Sequence, residues 1–334
     1  MTALGVDEEN VSTAAIKENT PEKQVFIIGS RRSGTTWTLW LLSNHPSMVG
    51  VQHTNLIDAF KKIDKWWKDE ERIHNTIISG GSEKSKKNLK DFISSDGFYS
   101  QCSQIINMVF SRAFNEKKQA KIVVESQPEN IDNLDLLMNL FPDAYYLHII
   151  RDPRSVFSSW KTIATTWSNA DVFKTHPVEF SKRWREDVTT GRSFADKAEN
   201  YLEIKYEELQ SDGISVLQNV YEWLKIDSSS EIATEAIDAC EIQKLRKKAN
   251  MPKGFFRKGL SDGWKSELSA SDIKSVEYLL ADVMDDLGYE RVNKGKILTP
   301  LKINIFNARK RFIKWLKNTF LFNLLRKIKE RILG

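Results

Sequence analysis

One stretch restricts the fold of this chain more than any other: an apolar segment that enters a loop bounded by two glycines and continues as a helix. Residues 25–28 are β-branched or aromatic, which is typical of a strand buried on both faces. Gly29 and Gly34 bound the loop, and residues 35–42 carry helix-compatible apolar side chains. The first N–H groups of such a helix lack intrahelical partners and point, with the positive end of its dipole, at one spot. We therefore predict an anion-binding loop here.

The two glycines have the spacing of the loop that binds nucleoside triphosphates, G-x-x-x-x-G-K-[ST], but the lysine is missing. Thr35 occupies its position, and the positive charges lie upstream at Arg31 and Arg32. In nucleotide kinases that lysine contacts the β and γ phosphates. Its absence counts against a kinase, which remains the rival enzyme class.

Length and composition indicate a soluble globular protein. The chain has 334 residues, of which 40% are hydrophobic and 28% charged, enough for one large α/β domain or two small ones. Cys102 and Cys240 are far apart and form no C-x-x-C pattern. This favours a reducing compartment and gives no sign of a disulfide framework or a zinc site, so we expect no metal.

The first 22 residues are expected to form a flexible tail, because they contain several acids and no basic segment followed by an apolar one. The sequence also has no run of about 18 apolar residues, so we expect no transmembrane helix. Together these features predict a cytoplasmic protein.

The net charge of +5 comes from the C-terminal segment. Residues 302–334 contain ten basic residues and one acid, which leaves 40 basic and 44 acidic residues for the rest of the chain. A nucleic-acid-binding function is therefore not expected. The domain organisation predicted is the tail 1–22, one domain over 23–296 and a basic amphipathic tail over 297–334.

The apolar residues of this C-terminal tail recur at helical spacing among the lysines and arginines. Two interpretations stay open. Residues 302–334 lie as an interfacial helix on an anionic membrane at the cytoplasmic face, or they pack on the body of the protein or on a second subunit. The oligomeric state cannot be predicted from these residues.

Apolar strand-like segments alternate with helical segments along the rest of the chain. The strand candidates are residues 25–28, 49–51, 121–124, 144–150 and 201–205. This alternation predicts an α/β fold with a P-loop-like central parallel sheet flanked by helices in three layers. Residues 56–78 and 98–114 look helical and are interpreted as a helical insertion over the active site, with its tryptophans in the core.

Two further segments carry phosphate-binding residue types. Arg151 follows an apolar strand, and Ser159 lies eight residues later on a helix that begins with a proline; guanidinium and hydroxyl groups together suit a phosphate. The loop 254–263 contains Arg257, Lys258 and Gly259 and is followed by Trp264-Lys265.

These three segments, in this order, resemble the sulfotransferases that use 3′-phosphoadenosine 5′-phosphosulfate (PAPS). The similarity spans roughly residues 24–265. One departure is the order Asp262-Gly263, where the family has Gly-Asp. The resemblance implies PAPS as the co-substrate and the following nucleotide-binding residues: Arg31, Arg32, Ser33, Gly34, Thr35, Thr36, Trp37, Arg151, Ser159, Tyr206, Arg257, Lys258 and Gly259.

The implied reaction is in-line transfer of a sulfuryl group to an acceptor hydroxyl on a small molecule, lipid or carbohydrate, with release of adenosine 3′,5′-bisphosphate (PAP). Arg32 holds the family's catalytic cation position, where charge develops on the departing 5′-phosphate. The general base is open between His53 and Glu125. His53 is preferred, because it lies 21 residues after Arg32, as a catalytic glutamate does in tyrosylprotein sulfotransferases.

The segment Glu125-Ser-Gln-Pro128 lacks the histidine that cytosolic members of the family use as the base. This departure leaves a non-enzymatic alternative open: a degenerate sulfotransferase fold that serves as a membrane-associated scaffold.

Overall fold

The computed structural model describes residues 20–52, 54–79, 91–167, 171–241 and 262–293. Within these residues the chain divides into two compact units. The first unit falls within Met1–Arg151 and Glu186–Ser261. The second falls within Asp152–Arg185 and Asp262–Gly334. Most of the predicted N-terminal tail and all of the predicted C-terminal tail lie outside the described residues.

The first unit is built on a parallel sheet of five strands. The strands are β1 (Lys23–Ile28), β2 (Met48–Gln52), β3 (Ile122–Ser126), β4 (Tyr145–Ile150) and β5 (Asn200–Lys205). Their order is β2-β3-β1-β4-β5, and each neighbouring pair is parallel. The predicted parallel sheet is confirmed, and β1 lies at its centre, where both faces are covered.

Helices follow the strands along the chain. The helices that the structure describes are α1 (Thr35–Ser43), α2 (Leu56–Ser79), α3 (Ser95–Ser111), α4 (Leu134–Leu140), α5 (Pro153–Thr166), α6 (Pro177–Phe194), α7 (Tyr206–Ser211), α8 (Gly213–Trp223), α9 (Ser230–Ala239), α10 (Trp264–Glu267), α11 (Ala270–Leu279) and α12 (Ala281–Asp286). Short 3-10 helices cover Arg112–Glu116, Asn130–Asp132 and Asp171–Phe173.

The side chains of β1 alternate between two hydrophobic cores, one on each face of the sheet. Val25 and Ile27 pack with apolar residues of α1, α8 and α9. Phe26 and Ile28 pack with apolar residues of α2, α3 and α4. Because successive side chains of a strand point to opposite faces, the apolar residues 25–28 of β1 must be covered by helices on both sides. The predicted three-layer α/β/α arrangement is confirmed.

The predicted helical insertion corresponds to α2 and α3. α3 begins at Ser95, three residues earlier than predicted, because the Ser94 hydroxyl accepts a hydrogen bond from the Gly97 amide at 3.1 Å and caps the helix. Trp67 is fully buried and stacks on Phe98 with ring centroids 4.0 Å apart. Trp66 is 48% exposed, so only one of the neighbouring tryptophans belongs to the core.

The second unit is organised around the start of α5. Asp152 caps this helix through the Arg154 amide, and the proline at the first helical position was expected. The Arg154 guanidinium lies 3.9 Å from the centre of the Trp264 ring and bonds the buried Asp152 and Glu277 carboxylates. Glu277 also accepts hydrogen bonds from the amides of Val292 and Asn293. This buried cluster therefore fixes several segments of the unit.

The helical segment that follows Ser269 is divided in two. It appears as α11 and α12, because Leu280 leaves helical geometry at φ −116 and ψ 12. Gly288 lies two residues after the end of α12. This glycine has φ 73, and the Tyr289 amide bonds the Met284 carbonyl at 2.8 Å across the end of α12.

Candidate active site

The candidate site lies at the carboxyl edge of the parallel sheet. The glycine-bounded loop leaves β1, Glu125 stands near the end of β3, and Arg151 follows β4 directly. β3 and β4 are the two neighbours of β1. In open α/β sheets, ligands bind in the crevice outside the carboxyl ends of the strands. The topology of the first unit therefore brings these sequence-predicted groups to one edge.

Both glycines of the loop occupy positions where a side chain would collide with a neighbour. A Cβ atom on Gly29 would lie 2.5 Å from the Ile149 carbonyl oxygen of β4. A Cβ atom on Gly34 would lie 2.3 Å from the Tyr206 ring, and Gly34 has the left-handed φ of 108 that glycine adopts without strain. The loop can therefore approach its neighbours only because these positions are glycine.

The two loop arginines have different surroundings. The Arg31 guanidinium pairs with the Glu129 carboxylate at 2.5 Å. Arg32 has a left-handed backbone with φ 76, and its carbonyl oxygen accepts a hydrogen bond from Arg151 Nη1 at 3.2 Å. Non-glycine residues rarely adopt this conformation. The side chain that the sequence assigned to catalysis thus sits at the strained point of the loop.

Buried polar atoms at this edge lack partners among the described residues. Three of these atoms are potential donors: the hydroxyl oxygens of Ser30 and Ser33 and the Nε atom of Arg151. Buried polar groups in native proteins are nearly always hydrogen-bonded. All three atoms can donate a hydrogen bond, which is what a phosphate or phosphosulfate oxygen accepts. The residues present therefore fit an anionic group.

Two aromatic side chains, Tyr206 and Trp37, lie beside the loop and form an aromatic wall. Tyr206 begins α7 immediately after β5, and the Arg151 guanidinium lies 4.1 Å from the centre of its ring. Trp37 meets the same ring edge-on at 5.5 Å and donates from its indole nitrogen to the Cys240 carbonyl at 3.0 Å. Both aromatic side chains are buried. Arg151 is thus held by cation–π contact in addition to its bond to the loop.

Two glutamines orient hydroxyl groups near the ends of β2 and β3. Gln52 donates to the Thr36 hydroxyl oxygen at 3.0 Å, and Gln127 donates to the Thr54 hydroxyl oxygen at 2.8 Å. A hydroxyl that accepts one hydrogen bond keeps its own proton for another acceptor. The Thr36 hydroxyl, at the start of α1, is therefore oriented as a donor.

Glu125 is a carboxyl group with no exposed surface. Its Oε2 atom accepts a hydrogen bond from Asn130 Nδ2 at 2.6 Å, and its Oε1 atom has no partner within the described part of the chain. Burial, with smaller contributions from the Glu129 and Asp58 charges, raises the pKa of Glu125 to about 7. A carboxyl group with this pKa can accept or release a proton near neutral pH.

Several residues predicted from the sequence cannot be placed. His53, Arg257, Lys258 and Gly259 lie outside the described residues. Ser159 belongs to the second unit, where it is buried in α5.

Sequence reasoning missed the residues that hold the predicted ones in place. Glu129 binds Arg31, Asn130 binds Glu125, and Gln52 binds Thr36. The only signal available was their position, since Gln52 directly follows a predicted strand and Glu129 and Asn130 lie five and six residues after another. Nothing in the sequence shows which of these polar side chains would pair.

A sequence model described as "Sulfotransferase family" matches residues 24–230 of this chain. Protein-tyrosine sulfotransferase A of Caenorhabditis elegans is 24% identical over 204 residues, which cover 60% of this chain and 50% of that protein. Carbohydrate sulfotransferase 2 of Mus musculus is 29% identical over 94 residues, 28% of this chain and 18% of that protein. The chain thus spans half or less of the length of these curated relatives.

The fold is also found among solved structures. The crystal structure of mouse sulfotransferase SULT7A1 complexed with PAP superposes with a TM-score of 0.51 at 13% sequence identity. The match covers 83% of this chain and 91% of that chain. It therefore supports the central parallel sheet and its flanking helices.

Proposed function

This chain belongs to the sulfotransferase family, and we propose that it transfers a sulfuryl group from PAPS to the hydroxyl group of an acceptor, with release of PAP. The observation that carries the proposal is a group of buried donors on Ser30, Ser33 and Arg151 at the carboxyl edge of the sheet, which find no partner among the described residues. Such a group is costly to keep without an anionic partner. The mouse SULT7A1 structure is a complex with PAP, which agrees with this assignment.

Binding of the nucleotide is assigned to two sets of residues. The amides at the start of α1 and the Thr36 hydroxyl hold the 5′-phosphate, because a helix N-terminus directs its unpaired N–H groups at an anion. Arg151 binds the 3′-phosphate. Ser159 and residues 257–259 are assigned to the same phosphate by the family resemblance alone. Tyr206 and Trp37 form the wall for the adenine base.

The transfer step requires positive charge where the departing 5′-phosphate gains negative charge. Arg32 is assigned to this role by its position in the family's loop motif, whereas the neighbouring Arg31 pairs with Glu129. The strained backbone of Arg32 is held by Arg151, so the catalytic residue is tied to the nucleotide-binding residue. No metal ion is needed in this scheme.

A general base must accept the proton of the acceptor hydroxyl. Glu125 fits this role, since its pKa is raised to about 7 and its Oε1 atom has no partner among the described residues. His53, preferred from the spacing of the sequence, is the other candidate base.

The acceptor class is proposed as a hydroxyl compound. The names of the curated relatives specify protein tyrosine and carbohydrate as what those proteins act on. The experiment that tests the function supplies the full chain with PAPS carrying a ³⁵S-labelled sulfuryl group and a panel of tyrosyl peptides, carbohydrates and lipid alcohols. Label should appear in at least one acceptor. Transfer to none of them, with PAPS left intact, would contradict the proposal.

The cell location and the membrane contact are also proposed. We place the protein in the cytoplasm, with residues 302–334 on an anionic membrane surface, because ten basic residues and one acid alternate there with apolar residues at helical spacing. Among the described residues, no helix is both long enough and apolar enough to cross a bilayer. In a flotation assay, anionic vesicles should carry the full chain and leave behind a chain ending at residue 301. Equal flotation of both forms would refute the contact.

A nucleotide kinase remains the competing activity. Thr35 occupies the position of the kinase lysine, and this counts against ATP as the substrate. The non-catalytic scaffold is the second alternative, and the transfer assay distinguishes it, because a scaffold binds PAP without moving label.

A further inference from the structure

Asn130 is the residue in direct contact with the buried carboxyl group of Glu125. It lies in the 3-10 turn that follows β3 and has no exposed surface. Its Nδ2 atom donates to Glu125 Oε2 at 2.6 Å and to the Ile27 carbonyl oxygen of β1 at 3.2 Å. One amide group thus links the carboxylate to the central strand of the sheet.

The orientation of this amide follows from its two partners. The Ile27 carbonyl oxygen can only accept a hydrogen bond, so the NH₂ side of Asn130 must face it. A flipped amide would place Asn130 Oδ1 against the Ile27 oxygen. The backbone of β1 therefore makes Asn130 a donor, and a donor favours the ionised form of Glu125.

The other groups around Glu125 oppose ionisation. Burial is the largest cause of the raised pKa of Glu125, and the charges of Glu129 and Asp58 add to it. Glu129 is paired with Arg31, and Asp58, on α2, accepts a hydrogen bond from Asn133 at 3.2 Å. The amides of Asn130 and Gln127 lower the pKa. Among them, Asn130 makes the short bond to Oε2.

We propose that Asn130 is the positioning residue of the general base: it holds Glu125 ionised, with Oε2 bound and Oε1 directed to the acceptor hydroxyl. This inference rests on the proposed function. In the step it serves, the acceptor oxygen forms a bond to sulfur as its proton passes to Glu125 Oε1. The bond from sulfur to the bridging oxygen breaks, and that oxygen leaves with the electron pair as part of the PAP phosphate.

The test replaces the Asn130 side chain, which removes the hydrogen-bond donor to Glu125. The ionisation of Glu125 is then measured in the absence of catalysis. Infrared difference spectra of the full chain are recorded across a pH titration, and Glu125→Gln identifies the carboxyl band that belongs to Glu125. Asn130→Leu keeps most of the side-chain volume without a donor, and Asn130→Ala is the second variant. Both should raise the midpoint of this band by about one to two pH units, since a hydrogen bond to a charged group is lost.

The matched control is Asn133→Leu, which removes a buried amide from the same segment. Asn133 bonds Asp58 and the Glu129 carbonyl, and no bond between it and Glu125 is found in the described structure. This variant should leave the midpoint of Glu125 in place even where it lowers stability. A shift as large as that of the Asn130 variants would overturn the inference, because it would show a general loss of packing.

Turnover gives the second readout, with ³⁵S-labelled PAPS and the hydroxyl acceptor found in the transfer screen. The acid limb of the pH profile of kcat/KM should move up with the infrared midpoint, and kcat/KM at pH 7 should fall about tenfold in the Asn130 variants. If Glu125→Gln is inactive but the Asn130 variants shift neither the infrared midpoint nor the acid limb of the pH profile, the role of Asn130 is overturned. The proposed sulfuryl transfer is not affected by that result. A fully active Glu125→Gln would overturn both the base and this inference.

Discussion

Gly34→Ala tests how the loop, the aromatic wall and Arg151 depend on one another. The added Cβ atom would lie 2.3 Å and 2.6 Å from two carbons of the Tyr206 ring, so the ring must move by about 1 Å to reach ordinary contact distance. Alanine at the observed φ of 108 adds about 1–2 kcal/mol of backbone strain. The displaced ring also loses its contact with the Arg151 guanidinium, worth about 0.5–2 kcal/mol.

We therefore expect Gly34→Ala to lower the free energy of unfolding by about 2–3 kcal/mol. The affinity for PAP should fall about 10- to 100-fold, since Arg151 and Tyr206 serve the nucleotide. Urea unfolding and calorimetry with PAP measure the two quantities. Gly97→Ala is the control, because Gly97 lies in the first turn of α3 and an added Cβ there comes no closer than 3.2 Å to a neighbouring side chain.

A double-mutant cycle separates the collision from the strain. In a Tyr206→Ala background the ring is absent, so Gly34→Ala should cost only the backbone strain and the two effects should not add. Wild-type stability and PAP affinity in Gly34→Ala would refute this reasoning. So would fully additive losses in the double variant.

Three further perturbations follow from the structure. Arg32→Gly places glycine at a left-handed position, so the free energy of unfolding in urea should change by less than about 1 kcal/mol. The rate of ³⁵S transfer should fall by about 100-fold or more. Transfer at the wild-type rate would remove Arg32 from the mechanism. Arg154→Met leaves two buried carboxylates without their cation and should lower the free energy of unfolding by about 3–5 kcal/mol. Lys161, on the same helix, pairs with Asp272 at a more exposed position, so Lys161→Met should cost less than about 1 kcal/mol. Equal losses would contradict the buried cluster. Burial, with a smaller effect of the Arg192 charge, lowers the pKa of His148 from its ordinary value of 6.5 to about 3. The neutral imidazole therefore contributes its full stabilisation above pH 6.5, and this stabilisation is lost as the pH falls toward 3. Urea unfolding should show about 2 kcal/mol less stability from this group at pH 5 than at pH 7, and His148→Gln should have the shallower pH dependence; identical slopes would refute this.

The fold was predictable because its signals are local and repeated. The four consecutive apolar residues at 25–28 of β1 need helices on both faces of the sheet. The alternation of strands with helices favours parallel pairing. The location of the site was also predictable, because the loop at Gly29 follows β1 and Arg151 follows β4. Both therefore lie at the carboxyl edge of the parallel sheet.

The internal geometry of the site was less predictable, because it depends on side-chain contacts between distant segments. Arg31 and Arg32 are adjacent in sequence, but only the structure shows Arg31 paired with Glu129. The partner of Glu125 depends on how the turn after β3 places Asn130. Likewise, Trp66 and Trp67 have equal hydrophobic character, and the packing of α2 on α3 decides which one is buried.

We propose that the loop and Arg151 form a site for a nucleotide with a 3′-phosphate. Calorimetry of the full chain with PAP and, separately, with ATP tests it directly, since ATP carries a triphosphate but no 3′-phosphate. PAP should bind at least about tenfold more tightly, because Arg151 offers a charge-assisted contact that only PAP can use. Arg151→Ala should remove this preference. Equal or tighter binding of ATP to the unaltered chain would contradict the account.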